Sequence, residues 1–174
     1  VRSLDCVSVF AHTVADAWTV LAHAAGFDGD DPYSRRAEDV DLPDGPLRIG
    51  VPPLAALEAD LAPHLLVGWR AAVAALEALG HVLVAIDLDP FLAAAGLLYQ
   101  GPWVAERTAA VGDHLASVSD GDPTVAAIVR GGRAHDAVSA YRGAYELARL
   151  RRLAEVQWQR MDVLLLPTVR EHPT

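Results

Sequence analysis

The chain has 174 residues, 52% of them hydrophobic, and 23 acidic against 14 basic side chains give it a net charge of −9. That content suffices for one core of ordinary size, or for a share of a larger one. Every base is an Arg and none lies in a basic run, so an acidic chain of this kind excludes nucleic acid and an anionic membrane surface as partners.

The chain begins at Val1 without an initiator Met, and by Asp16 it already has the pattern of an amphipathic helix; so abrupt a start predicts a fragment or a processed piece. Thr13 with Asp16 resembles a capping box, and Val14, Ala17, Trp18, Leu21 and Ala25 recur at helical spacing up to Gly26. Residues 28–46 are rich in Asp, Gly and Pro and predict a long exposed loop. Leu47 to Val51, stopped by Pro52 and Pro53, predicts a strand. A helix follows with Leu66, Trp69, Val73 and Leu76 on one face and Gly80 past its end, and His81 to Ile86 reads as a buried parallel strand. Strand, helix, strand in that order is a βαβ unit, so the fold class is α/β, a mainly parallel or mixed sheet covered by helices.

Asp89 before Pro90 and Asp122 before Pro123 each place an N-cap acid ahead of a first-turn Pro, predicting two helix starts. Asp136 caps the longest helix, to about Met161, with Ala144, Leu147, Leu150, Ala154, Trp158 and Met161 in one stripe. Val138, Tyr141 and Tyr145 form a second face, which predicts neighbours on both sides. Val163 to Leu166 predicts a third strand.

Little of the chemistry looks catalytic. Cys6 is alone, and the seven His show no metal-ligand spacing, so neither a disulfide nor a metal or cofactor site is expected. No apolar run approaches the roughly 18 to 20 residues that span a bilayer, and no signal-peptide layout opens the chain, which reads as cytoplasmic. There is no GxSxG elbow. Gly131, Gly132 and Arg133 follow a helix, where a C-cap is expected and a phosphate cradle is not. Glu38 with Asp39, and Asp28 with Asp30 and Asp31, read as a solvated face, while Arg149, Arg151 and Arg152 have Glu146 and Glu155 in pairing range on one helix.

The segment Tyr99-Gln-Gly-Pro-Trp103-Val-Ala-Glu-Arg107 stands apart. Pro102 predicts a helix ending near Tyr99 and another beginning at the Pro, with Arg107 in its second turn. A phenol and a guanidinium converging across that break would suit a small anionic acyl compound. The other reading pairs Arg107 with Glu106 or Asp113 beside a packed Tyr and Trp, and local chemistry alone favours it.

Arg2-Ser-Leu-Asp-Cys-Val-Ser-Val-Phe-Ala-His-Thr-Val-Ala-Asp-Ala17 resembles the amidase-signature family just downstream of its catalytic segment. Gly29-Asp-Asp-Pro-Tyr-Ser34, Leu97-Leu-Tyr-Gln-Gly-Pro-Trp-Val-Ala-Glu-Arg107 and Asp162-Val-Leu-Leu-Leu-Pro-Thr168 are similar to its allophanate hydrolase branch. The resemblance implies residues 1–174 as the C-terminal part of one amidase-signature domain whose N-terminal catalytic part is absent. The family's Ser nucleophile, bridging Ser and Lys base precede the Ser-Leu-Asp segment, so no catalytic residue is expected here. It further implies that Tyr99 and Arg107 contact allophanate, that Asp5 makes fold-supporting hydrogen bonds near the site, and that the intact enzyme works beside a biotin-dependent urea carboxylase in urea breakdown. Val169 to Thr174 departs from the family pattern after Pro167-Thr168. Two rival readings stand: a binding or scaffold module, as a homodimer through its apolar faces, and an amidase or amidotransferase subunit acting on neutral amides.

Overall fold

A computed structural model describes residues 1–4, 7–37, 43–118 and 120–171. Asp5, Cys6, the Glu38/Asp39 pair, the centre of the 28–46 loop and the last three residues of the divergent C-terminus, each the subject of an expectation from sequence, lie outside them.

Helix α1 (Val14–Ala24) starts as its sequence predicts: the Thr13 hydroxyl accepts the Asp16 N–H at 3.1 Å and donates to the Asp16 carboxylate at 2.8 Å. Nothing covers it. Val14 is 85% exposed and Trp18 69%. The following loop is shaped by Asx turns, with Asp28 accepting from the Asp30 N–H and Asp31 from the Tyr33 N–H.

Strand β1 (Arg48–Val51), helices α2 (Leu54–Asp60) and α3 (Pro63–Ala78) and strand β2 (Val82–Ala85) form the expected crossover unit. The sheet has three parallel strands in the order β2-β1-β3, with β3 (Val163–Leu164) arriving from the far end of the chain. The short helix α2 had no counterpart in the sequence reading. It matters to packing, since its Leu57 joins Leu61 and Trp69 in one buried cluster against Val51, Leu66 and Leu165. Gly80, at φ +88°, ends α3 in a Schellman motif: its N–H reaches the Glu77 carbonyl at 2.9 Å, and the His81 N–H reaches that of Leu76 at 3.1 Å.

Helices α4 (Asp89–Gln100), α5 (Trp103–Ser117), α6 (Pro123–Gly131) and α7 (Ala137–Trp158) make a second layer, with α4 along α7 and α5 against α6. Asp122 and Asp136 cap α6 and α7 as expected. Asp89 does not cap α4. It is the first helical residue, and its own N–H is taken by the carboxylate of Asp87 at 2.9 Å, so an acid two positions earlier satisfies that orphan donor. Gly131 and Gly132 close α6 into a 3₁₀ turn over Gly132–Ala134. On α7 Leu150 is buried, as is Met161 just past its end, whereas Val138, Tyr141 and Tyr145 are at least half exposed. One expected face has its neighbour, and the other is open.

The layers are joined at the end of α7. Trp158 meets Phe91 edge to face at 6.2 Å, and Arg160 donates to the Ala85 carbonyl. Asp162 accepts from the Arg48 guanidinium at 2.7 Å and from its backbone N–H at 2.7 Å, fixing β3 beside β1. Among the described residues no helix is long and apolar enough to cross a membrane.

Candidate functional site

The elbow between α4 and α5 is built by two residues. Gly101 caps α4 through its N–H to the Leu97 carbonyl at 3.1 Å, and Pro102, which cannot continue the ladder, turns the chain and becomes the N-cap of α5. Helix α7 lies close against it. A Cβ placed on buried Gly143 would overlap the Pro102 ring, coming within 2.9 Å of its Cδ and 3.3 Å of Trp103. Only a glycine leaves room for that approach.

The elbow brings together the two residues singled out from the sequence. The guanidinium carbon of Arg107 lies 4.5 Å from the centroid of the Tyr99 ring. Tyr99 is 64% exposed, so the pair faces outward. The guanidinium rests over the ring face, where the quadrupole attracts a cation, and an Arg stacked in this way keeps the N–H donors at its rim for a planar anion. The two acids expected to compete for it are engaged elsewhere: Glu106 accepts from Ser3, and Asp113 lies 3.4 Å from Arg133. No ion pair to Arg107 is formed among the described residues.

Glu106, expected from the sequence as a pairing partner for Arg107, is instead held by Ser3. Its carboxylate takes the Ser3 N–H at 2.8 Å and the Ser3 hydroxyl at 2.5 Å, across 103 positions of chain. Partial burial pushes this carboxyl up, but the two Ser3 hydrogen bonds outweigh it and hold it below its ordinary range. At the elbow, an apolar cavity of about 180 Å³ is lined by Leu4, Leu97, Leu98, Trp103 and Leu147. The Arg cluster of α7 does not take part: Arg149 pairs with Glu146 at 2.6 Å and Arg152 with Glu155 at 2.8 Å along the helix. No group of three or more His, Cys, Asp or Glu gathers at metal-binding distance among the described residues.

A family model, Amidase, matches residues 1–174. The chain belongs to the amidase family. Its relatives narrow the likeness: this amidase chain is 34% identical to a urea amidolyase of Lachancea kluyveri and 33% to that of Saccharomyces cerevisiae, each alignment taking in 99% of the chain. The chain spans only 10% of the length of either. It is similar to a solved Kluyveromyces lactis allophanate hydrolase, with TM-score 0.82 and 31% identity, covering 99% of this chain and 29% of that one. The Kluyveromyces lactis urea amidolyase aligns with TM-score 0.84 and 31% identity, 11% of its length being covered. The α/β arrangement of the amidase chain is thus the one found in allophanate hydrolase amidase domains.

Proposed function

We propose that this chain is the C-terminal part of an amidase-signature domain in an allophanate hydrolase, and that it supplies the substrate-recognition side of the pocket. The reaction is hydrolysis of an amide C–N bond of allophanate in urea degradation. The observation that carries the reading is Arg107, stacked on Tyr99 at the α4–α5 elbow with no acidic partner among the described residues, in a chain similar along its length to allophanate hydrolases.

Allophanate differs from a neutral amide by its carboxylate. A guanidinium offers that group two parallel hydrogen bonds, and the Tyr99 ring beneath holds the guanidinium in place before substrate arrives. A positioned carboxylate fixes the distant carbonyl for attack, which lowers the entropy cost of the chemical step. The sequence holds no Lys to serve as the family's base.

The partner of first importance is the rest of the amidase domain. The chain exposes 13058 Å² of surface, against about 8,200 Å² for a compact monomer of its 18.5 kDa mass. Phe10 is 94% exposed and Val14 85%, and parallel sheets are ordinarily covered on both faces and continued at their edges. These surfaces suit an upstream segment carrying the nucleophile and its base. Similarity to urea amidolyases supports a functional link to urea carboxylase, whose product would be the substrate.

The test is steady-state hydrolysis by the full-length protein, measured as ammonia release. Arg107→Ala should weaken capture of allophanate, and unchanged kinetics would remove Arg107 from the site.

A further inference from the structure

We propose that Glu106 is a positioning residue that, through Ser3, locks the segment entering at the start of this chain onto the helix turn that carries Arg107. The inference rests on the functional reading above, and adds the device that sets the distance between the substrate anchor and the attacking groups.

Ser3 and Glu106 meet through both polar groups of the serine, its N–H and its hydroxyl, and both oxygens of the carboxylate. This is a two-point contact, so it fixes orientation as well as distance. The charge on Glu106 strengthens both hydrogen bonds over neutral ones. Leu4, the next residue, lines the apolar cavity between α4, α5 and α7, so the segment is held by a polar grip and a neighbouring apolar one. The Gly101 cap and the Gly143 approach lie within α4, α5 and α7. Ser3 and Leu4 reach the elbow from the start of the chain.

Glu106 and Arg107 are consecutive on α5, so a shift of the Ser3 segment relative to Glu106 is a shift relative to the anchored carboxylate. Errors of about 1 Å between a bound substrate and its attacking group cost up to roughly a hundredfold in rate. Loss of the grip therefore lowers kcat, while KM, set by Arg107, changes little.

The experiment uses the full-length protein with Glu106→Ala, Glu106→Gln, Ser3→Ala and the Glu106→Ala/Ser3→Ala double variant, each normalised to folded, titrated active sites. Glu106→Ala should lower kcat on allophanate by roughly ten- to a hundredfold, and Ser3→Ala, which keeps its backbone N–H on the carboxylate, by a smaller factor, each with KM within about twofold. The double variant should be no slower than Glu106→Ala. Glu106→Gln should recover most of the rate, because its amide oxygen still accepts the Ser3 N–H and its NH₂ can donate to the hydroxyl oxygen. The proposal is overturned if the single losses multiply, if only KM moves, or if the fall in rate disappears on normalisation. Wild-type protein inactive on allophanate would overturn the functional reading together with it, whereas active protein indifferent to Glu106 would overturn the positioning role alone.

Discussion

Arg107 and Tyr99 sit on different helices, and the turn at Gly101 and Pro102 folds them together so that the guanidinium covers the phenol ring at 4.5 Å. The stacking fixes a cation without neutralising it. That combination is the one the proposed recognition of a carboxylate requires.

Replacing Arg107 by Ala should reduce kcat/KM on allophanate by about 2 to 5 kcal/mol, the range for removing one member of a charge pair that the rest of the amidase domain and the substrate would bury. Arg107→Lys should recover only part of it, since a lysine loses the planar stacking and the two-pronged fork. Steady-state kinetics on the full-length protein checks both.

At Tyr99 the ring and the hydroxyl separate. Tyr99→Phe keeps the face under the guanidinium and should cost no more than one hydrogen bond, about 0.5 to 1.5 kcal/mol in substrate capture. Tyr99→Leu removes the face as well and should cost about 0.5 to 2 kcal/mol more. A Phe variant as impaired as the Leu variant would show that stacking contributes nothing.

Gly143→Ala should destabilise the fold by about 1 to 3 kcal/mol, the usual cost of overpacking, since the new methyl meets the Pro102 ring and Trp103. Because that push lands on the elbow, KM for allophanate should rise as well. Denaturant titration and kinetics on the same preparation read the two effects.

The Asp162 carboxyl is held below its ordinary range by the hydrogen bonds from the Arg48 side chain and then from its backbone N–H. With a folded-state pKa below the unfolded one, its contribution to stability is present above the ordinary carboxylate pKa of about 3.9 and is lost as pH falls through the lower folded value. Asp162→Asn should therefore flatten the acid limb of stability against pH below about 4 and leave its slope at neutral pH unchanged. Denaturation midpoints across that range decide it.

Much of the fold was legible because its signals are local. Thr13, Asp122 and Asp136 bond N–H groups two or three residues on, and Gly80 closes α3 within five, so each element end is written where it occurs. The same locality misleads at α4, where Asp89 has the right neighbour in Pro90 but Asp87 makes the bond. Helix α2 was missed because Leu54–Asp60 spans about two turns, too short for a helical period to separate from the loop. At the site, Tyr99 and Arg107 are eight positions apart and the Pro102 break between them is visible, so their meeting could be foreseen. The engagement of Glu106 by Ser3 spans 103 positions and leaves no local trace. Which faces stay open, such as Val138, Tyr141 and Tyr145, depends on tertiary neighbours that no periodicity encodes.

The most direct test of the carboxylate clamp is the ratio of kcat/KM on allophanate to that on biuret, which replaces the carboxylate with a neutral amide, in wild-type and Arg107→Ala full-length protein. The wild type should strongly prefer allophanate, and the variant should lose most of that preference while its rate on biuret changes little. An equal fall on both substrates, or a preference that survives the substitution, would contradict the assignment of Arg107 as the anion anchor.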